Sequence, residues 1–346
     1  MGSNPNRITD YITDESPNYV SSWDFSFRFE KKLFFRKGFV FLLKALEGRR
    51  RAYKIENDKT MKFCVIGGAN ADITATTFEA FRSMDSNPGT IRLIPGGVGR
   101  NIAHNLSLLG NEVSFLTLFG GDTFGLFTAD SCRKAKIDIS LCDTAPIGTR
   151  SCFLSINDCN GEMIGGVSDM AAIDGMTPEW VANKLQRTET MDAFVADANI
   201  PVETLAYIID HVYAPLFVDA VSGAKAGKIR EALSLSSKKQ IHTVKCNSLE
   251  NELISGVEGI GRRFISLGSE GLDVIERGQV THFPPLSCQV LNATGAGDAL
   301  MAGIVHAGPQ ASVEEAARVG LRCAKITVES YDNVNNLLKQ RYDELS

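Results

Sequence analysis

From Met61 onward, short apolar runs alternate with helix-like stretches in a strand-helix-strand rhythm that limits the fold more than any other feature of the chain. Lys62-Phe63-Cys64-Val65-Ile66 is a buried-type strand stopped by Gly67-Gly68. Further apolar runs lie at 113–118, 193–196, 216–219, 242–245 and 264–267, with helical patterns around 98–109, 123–135, 177–187, 202–211, 226–234 and 312–328. This rhythm predicts an α/β fold in three layers, a mostly parallel sheet with helices on both faces. In such sheets ligands sit beyond the carboxyl ends of the strands, so functional loops should follow strands. Two segments break the rhythm: Thr90 to Ile94 after the turn Ser86-Asn87-Pro88-Gly89, and Arg150 to Asn157 returning through Gly161 to 162–164. They predict a small β-lid on the α/β body, about residues 73–95 and 149–166.

The first 60 residues are different in kind. They carry 12 Lys+Arg against 8 Asp+Glu and hold 11 of the 28 aromatic residues, mostly between Trp23 and Leu43. Arg36 and Lys37 interrupt the longest apolar run, which therefore lacks the ~18 consecutive apolar residues of a spanning helix. Asp10, Asp14 and Glu15 stand where a secretory signal would be apolar. Two uses are open for this segment: an amphipathic element for a membrane surface or partner, using Arg49-Arg50-Arg51, or an extension outside the fold. The second is the expectation, with the folded domain running from 61 to 346. A formal charge of -5 disfavours nucleic-acid binding by bulk electrostatics. The 8 cysteines form no C-x-x-C pair, so no zinc or redox motif is spelled out, and free thiols in a cytoplasmic protein are expected.

The strongest chemical signal is Asn292-Ala293-Thr294-Gly295-Ala296-Gly297-Asp298, followed by a helix apolar all round. The first turn of a buried helix leaves backbone N–H groups unpaired beside the positive end of its dipole. Glycines at 295 and 297 let an anion approach that backbone, and Asp298 there can take a proton from an alcohol. The plainer use of such an Asp is to stabilise the helix terminus, although Thr294 is itself placed to cap it. Pro95-Gly96-Gly97-Val98-Gly99-Arg100-Asn101 opens another helix. Ile102 stands where a dinucleotide loop needs its third glycine, and no P-loop occurs. The glycines allow a polyol to lie against backbone, with Asn101 offering a donor and an acceptor; a tight turn before a helix is the alternative. Asn70-Ala71-Asp72 follows the first strand, where a carboxylate can grip vicinal hydroxyls or serve a turn. Asn247-Ser248-Leu249-Glu250 and the 266–271 turn follow two later strands; Glu250 can act through Mg²⁺-bound water, and the turn can receive phosphate or ribose.

Taken together and in this order, these motifs resemble the ribokinase-like (PfkB) carbohydrate kinase family across essentially all of residues 61–346. Gly295-Ala296-Gly297-Asp298 is the most diagnostic stretch. The resemblance implies ATP-dependent phosphorylation of a sugar or nucleoside hydroxyl, with Asp298 as base and Gly295, Ala296 and Gly297 as anion hole. It implies Asn70, Asp72, Gly96, Gly97 and Asn101 on the acceptor, Asn247, Ser266, Gly268 and Gly271 on the nucleotide, and Glu250 on Mg²⁺. Many relatives carry Asp at the position of Asn292 and use it for a monovalent cation, so a carbonyl oxygen is what this chain offers K⁺. The 86–103 stretch, and Asp219-Ala220-Val221-Ser222 with Lys225, look most like the members acting on pseudouridine. A small-molecule substrate, no nucleic-acid or membrane partner, and a homodimer through the lid are the corresponding expectations. A non-catalytic member that senses a sugar or nucleoside is the rival in a different class.

Overall fold

A computed structural model describes residues 60–188 and 190–345. In chain order the elements begin β1 (Lys62–Ile66), β2 (Asn70–Thr77), β3 (Gly89–Gly96), α1 (Val98–Leu108), β4 (Glu112–Leu116), β5 (Leu118–Gly121) and α2 (Thr123–Lys134). Next come β6 (Asp143–Ile147), β7 (Cys152–Asn157), β8 (Met163–Asp169), α3 (Ala171–Asp174), α4 (Pro178–Leu185), β9 (Ala193–Asp197), α5 (Val202–His211), β10 (Leu216–Asp219) and α6 (Gly223–Leu235). The chain continues through β11 (Ile241–Asn247), α7 (Ser248–Ile254), β12 (Ile260–Ser266), β13 (Leu272–Glu276), β14 (Gln279–Phe283), α8 (Ala296–His306), α9 (Val313–Val328) and α10 (Leu338–Glu344).

The central sheet has the order β14-β13-β12-β11-β10-β9-β1-β4. From β4 to β12 every pairing is parallel, and β13 and β14 close the far edge as antiparallel strands. Side chains of a strand alternate between faces, and here both faces are covered. Phe63 and Val65 of β1 pack into the core shared with α1, α2, α8 and α9, whereas Cys64 and Ile66 pack into the core shared with α4, α5 and α6. Ala193 and Val195 of β9 join the first core, Phe194 and Ala196 the second. That two-sided burial is why these strands read as unbroken apolar runs. The three-layer α/β/α expectation therefore holds.

The apolar run at 113–118 is one strand in the sequence pattern but two in the fold. Buried Thr117 separates β4, which ends the central sheet, from β5, which pairs with β6. The segments that break the rhythm form a separate four-stranded sheet, β3-β2-β7-β8. Its last hairpin strand runs to Asp169, beyond the 162–164 return expected from the sequence. Ile91, Leu93, Met163, Ile164 and Val167 of this sheet are exposed. No helix among the described residues is long and apolar enough to cross a membrane. The proposed extension before Met61 lies outside the described residues, Thr60 apart.

Helix α8 is held from all sides: every residue from Ala299 to Val305 is buried. It meets α9 at Gly303 and Gly320, where a Cβ on Gly303 would stand 2.7 Å from Gly320 Cα and 2.8 Å from Val319 O. Backbone cannot retreat from a side chain as a flexible tip can. Gly303→Val is expected to destabilise the fold by ~2 kcal/mol or more through overpacking, read as a lower urea midpoint at an unchanged slope.

Candidate active site

Parallel strands bring their carboxyl ends to one edge, and the register lines up charged residues there. Asp197 ends β9 beside Asp219 of β10, and Asp219 lies beside Lys245 of β11. Asp197 is fully buried. Its Oδ2 accepts the N–H groups of Gly68 at 2.9 Å and Gly99 at 2.7 Å, and its Oδ1 accepts that of Asn199 at 2.9 Å. One carboxylate thus pins the loop after β1 to the first turn of α1. Burial pushes its pKa up, and the donors oppose that shift.

The second sheet carries Asn70, Asp72 and Gly96, and α1 follows it. Asn70 Nδ2 donates to Asp72 Oδ1 at 2.5 Å, and Asp72 lies so close to Gly96 that a Cβ there would stand 2.1 Å from Oδ2. Gly97 has φ of 96°, and a Cβ on it would lie 2.5 Å from Gly68 O, so both glycines are required by close approach. Burial raises the Asp72 pKa to about 6, against the hydrogen bond from Asn70 and the charge of Arg100. Asn101, in the first turn of α1, reaches across to α8: its Nδ2 donates to Asp298 Oδ2 at 2.8 Å. Two motifs 197 residues apart therefore meet at one carboxylate.

On the other side of Asp298 is a site suited to an anion. The N-cap of α8 is Gly295, not the expected Thr294. Gly295 is left-handed with φ of 82°, and a Cβ on it would stand 1.9 Å from Asn333 O, so no other residue fits. Thr294 instead donates its N–H to Asn292 Oδ1 at 2.9 Å, and no side chain caps the helix. Lys245, like Asp197, is a residue the sequence motifs do not mark. Its Nζ lies 2.6 Å from where a Cβ on Gly297 would stand and 3.2 Å from Asp219 Oδ2. Burial alone would lower the Lys245 pKa, but Asp219, Asp298 and Glu250 hold it above the ordinary value. Asp298 is raised to about 7, chiefly by burial and then by the charge of Asp219, with Lys245 and Asn101 opposing.

The remaining predicted residues line the same sheet edge further along. Asn247 and Ser266 are register neighbours at the ends of β11 and β12. Asn247 caps α7 in a capping box: its Oδ1 accepts the Glu250 N–H at 2.8 Å, while Glu250 Oε2 accepts the Asn247 N–H at 2.8 Å. Asn247 Nδ2 also donates to Glu250 Oε1 at 2.8 Å, so both carboxylate oxygens are engaged. Ser266 Oγ donates to Cys246 O at 3.3 Å. Gly268 opens a 3₁₀ turn, and Gly271 has φ of 102° with Phe283 O behind it. Asn292 Nδ2 donates to Tyr331 O at 3.1 Å. Among the described residues no group of three or more His, Cys, Asp and Glu is placed to hold a metal. His104 and Met170 stay outside this chemistry: His104 is held neutral, its pKa lowered to about 3 by burial and Arg100, and Met170 packs against the core.

A buried carboxylate beside a helix terminus that no side chain caps is an arrangement that phosphoryl transfer to a small molecule can use. The pfkB family of carbohydrate kinases matches residues 60–340, and the chain belongs to that family. It is 36% identical over 259 residues to the pseudouridine kinase of Escherichia coli (strain K12), covering 69% of this chain and 81% of that protein. Among solved structures it is similar to a carbohydrate kinase from Agrobacterium tumefaciens, with a TM-score of 0.70, 28% identity and 82% and 96% of the two chains covered. The fold also matches Arabidopsis thaliana ribokinase complexed with ribose and ATP, at a TM-score of 0.71 and 18% identity over 83% of this chain and 100% of that one. The chain is thus a sugar or nucleoside kinase that transfers phosphate to an alcohol group.

The raised Asp298 pKa has a stability cost with a definite sign. Its neutral form is favoured in the fold, so the stability present at low pH is lost as pH rises from the unfolded-state value of about 4 towards the folded value of about 7. Asp298→Asn removes the buried charge. Its melting temperature should exceed that of the parent by a margin that grows between those two pH values and stays constant above them, as read by thermal unfolding from pH 4 to 9.

Proposed function

We propose that the chain phosphorylates the 5'-hydroxyl of a ribosyl nucleoside, converting pseudouridine to pseudouridine 5'-phosphate with Mg·ATP as donor. The observation that carries this reading is the 2.8 Å hydrogen bond from Asn101 to Asp298, which joins the acceptor loop to the helix terminus. The similarity to an Escherichia coli pseudouridine kinase favours that acceptor over a free sugar. Asp72, oriented by Asn70 and backed by Gly96, accepts hydrogen bonds from the ribose hydroxyls, with Gly97 giving the ring access to the backbone. Asp298 Oδ2 is held by Asn101, leaving Oδ1 to take the hydroxyl proton as the oxygen attacks in line. A pKa of about 7 suits that transfer, since a base works best near the operating pH.

The transferring phosphoryl group is received by the first turn of α8, through Gly295, Ala296 and Gly297, with the Lys245 ammonium beside it. Fixed donors of this kind stabilise charge as it develops. ATP lies over the ends of β11 and β12, by Asn247, Ser266, Gly268 and Gly271. Mg²⁺ supplies charge neutralisation of the phosphates when bound. Glu250 fits a role through water: each of its oxygens already accepts one hydrogen bond and keeps one lone pair. Asn292 Oδ1 keeps a lone pair for K⁺ on the same terms. The second sheet acts as a lid over the ribose, excluding water. Its exposed Ile91, Leu93, Met163, Ile164 and Val167 suit pairing with a second copy. A cytoplasmic location and no nucleic-acid or membrane partner go with this reading, and residues 1–60 serve no catalytic step.

Coupled ADP release with Mg·ATP against pseudouridine, uridine, adenosine, ribose and fructose tests the proposal. Pseudouridine should be turned over fastest, at equal rates in the full chain and in a chain starting at Met61; a faster rate with any other acceptor keeps the kinase and replaces its substrate. Asp298→Asn should lower kcat by about 10²- to 10⁴-fold, the range for a lost general base. It should also remove the rise in kcat through pH ~7 that ionisation of Asp298 imposes on the parent. Retention of full activity in that variant removes Asp298 from the mechanism.

A further inference from the structure

We infer that Arg100 is a positioning residue for Asp298, acting through the side-chain amide of Asn101. This rests on the proposed role of Asp298 as the base. Arg100 lies in the first turn of α1 and is only 5% exposed. Its Nη1 donates to Asn101 Oδ1 at 2.9 Å and to Pro95 O at 3.1 Å, and its Nη2 lies 3.2 Å from His104 Nδ1.

The chemistry of these groups forces one arrangement. A guanidinium has donors and no acceptor, so the atom of Asn101 that meets it must be the amide oxygen. The amide NH₂ is thereby turned towards Asp298, where Nδ2 donates to Oδ2 at 2.8 Å. Without the cation, nothing holds the amide oxygen on that side, and whenever Asp298 is protonated the amide can turn over and accept from it. Arg100, Asn101 and Asp298 form a chain that begins at a positive charge and ends at a negative one, so each bond polarises the next in the same direction. The chain marks Oδ2 as the permanent acceptor and reserves Oδ1 for the substrate proton.

The surroundings of both ends are defined. Arg100 faces Asp72 from β2, His104 from its own helix, Cys132 from α2 and Asp298 from α8. His104 is neutral and accepts from Arg100, and the Cys132 thiol is pushed up by burial, so neither cancels the guanidinium charge. Asp298 also faces Asp219, Lys245 and Asp197. Lys245 and the Arg100–Asn101 pair therefore approach the base from different elements, and the amide link is the one that selects between its two oxygens. Pro95 O, the other acceptor of Nη1, ties the same guanidinium to the end of β3, adjoining Gly96, which lies against Asp72.

The test uses the full chain and the acceptor it phosphorylates fastest. Arg100→Leu removes the charge and the donors, Arg100→Gln keeps length but no longer dictates which amide atom faces it, and Arg100→Lys keeps a donor-only cation. Arg100→Leu and Arg100→Gln should lower kcat about 10- to 100-fold, as for a lost hydrogen bond to a charged group. In both, KM for ATP should stay within about twofold of the parent while the acidic limb of the kcat–pH profile moves to higher pH, because the ionised carboxylate has lost its support. Arg100→Lys should return part of the rate and the parental midpoint. In an Asp298→Asn background, Arg100→Leu should change the residual rate less than about twofold, since residues acting through one another are not additive. If Arg100→Leu does not fold, Arg100→Gln carries the same reading. A parental pH midpoint in the active Arg100 variants, or a full additional loss in the Asp298→Asn background, makes Arg100 a packing residue and overturns the inference. A parent chain that phosphorylates no acceptor overturns instead the kinase mechanism on which it rests, and this inference with it.

Discussion

The buried carboxylate of Asp197 is the interaction on which the site depends. Its two oxygens take backbone N–H groups from Gly68, Gly99 and Asn199, which belong to the loop after β1, the first turn of α1 and the loop after β9. Removing any partner would leave a buried polar group unpaired, at a cost of ~1–3 kcal/mol. The glycines follow from this closeness: a Cβ on Gly67 would stand 2.4 Å from Asp197 Oδ2, and one on Gly99 3.0 Å from the same atom. The Gly-rich turn before α1 is therefore shaped as much by the carboxylate behind it as by any ligand in front.

From that anchor the rest of the site is placed by rigid elements. With Gly99 fixed, the first turn of α1 presents Arg100 and Asn101 in set directions, and Asn101 meets α8, itself packed on every side. The charges then gather around one cation: Asp197, Asp219 and Asp298 are acidic, and Lys245 lies among them with its ammonium against Gly297. Asp219 both pairs with Lys245 and adds to the burial that raises the pKa of Asp298, so one residue bears on the cation and on the neighbouring acid.

Sequence periodicity carried most of the fold because strands covered on two faces must be apolar throughout, as Phe63 to Ile66 are. It missed the division at Thr117, where one apolar run serves two different sheets. The Asp298 and Asn101 motifs were legible because glycines and a helix start mark them locally. Lys245 and Asp197 were not singled out, although each is a charged residue in or at the end of an apolar strand, and at the carboxyl edge of a parallel sheet that is itself a signal. Asn247-Ser248-Leu249-Glu250 illustrates a motif with two meanings: the same spacing that suggests a nucleotide site is also a capping box, and the structure shows the box formed. The error at Thr294 has a different origin. Local sequence favours a threonine cap, but Asn333 packs against Gly295 from far along the chain, and no nearby residue announces it.

That contact gives the end of the chain an unexpected part in the site. Asn333 O backs the left-handed glycine that opens α8, Tyr331 O accepts from Asn292, and Asp332 lies 3.8 Å from Arg92 of the second sheet. The segment around 331–333 is thus a wall shared by the helix terminus and the second sheet. During synthesis the strands of the central sheet are all made before this wall exists. A nascent chain already holds every strand of that sheet while the helix terminus still lacks its backing, so the order of translation delays a finished helix terminus until residues 331–333 have been made.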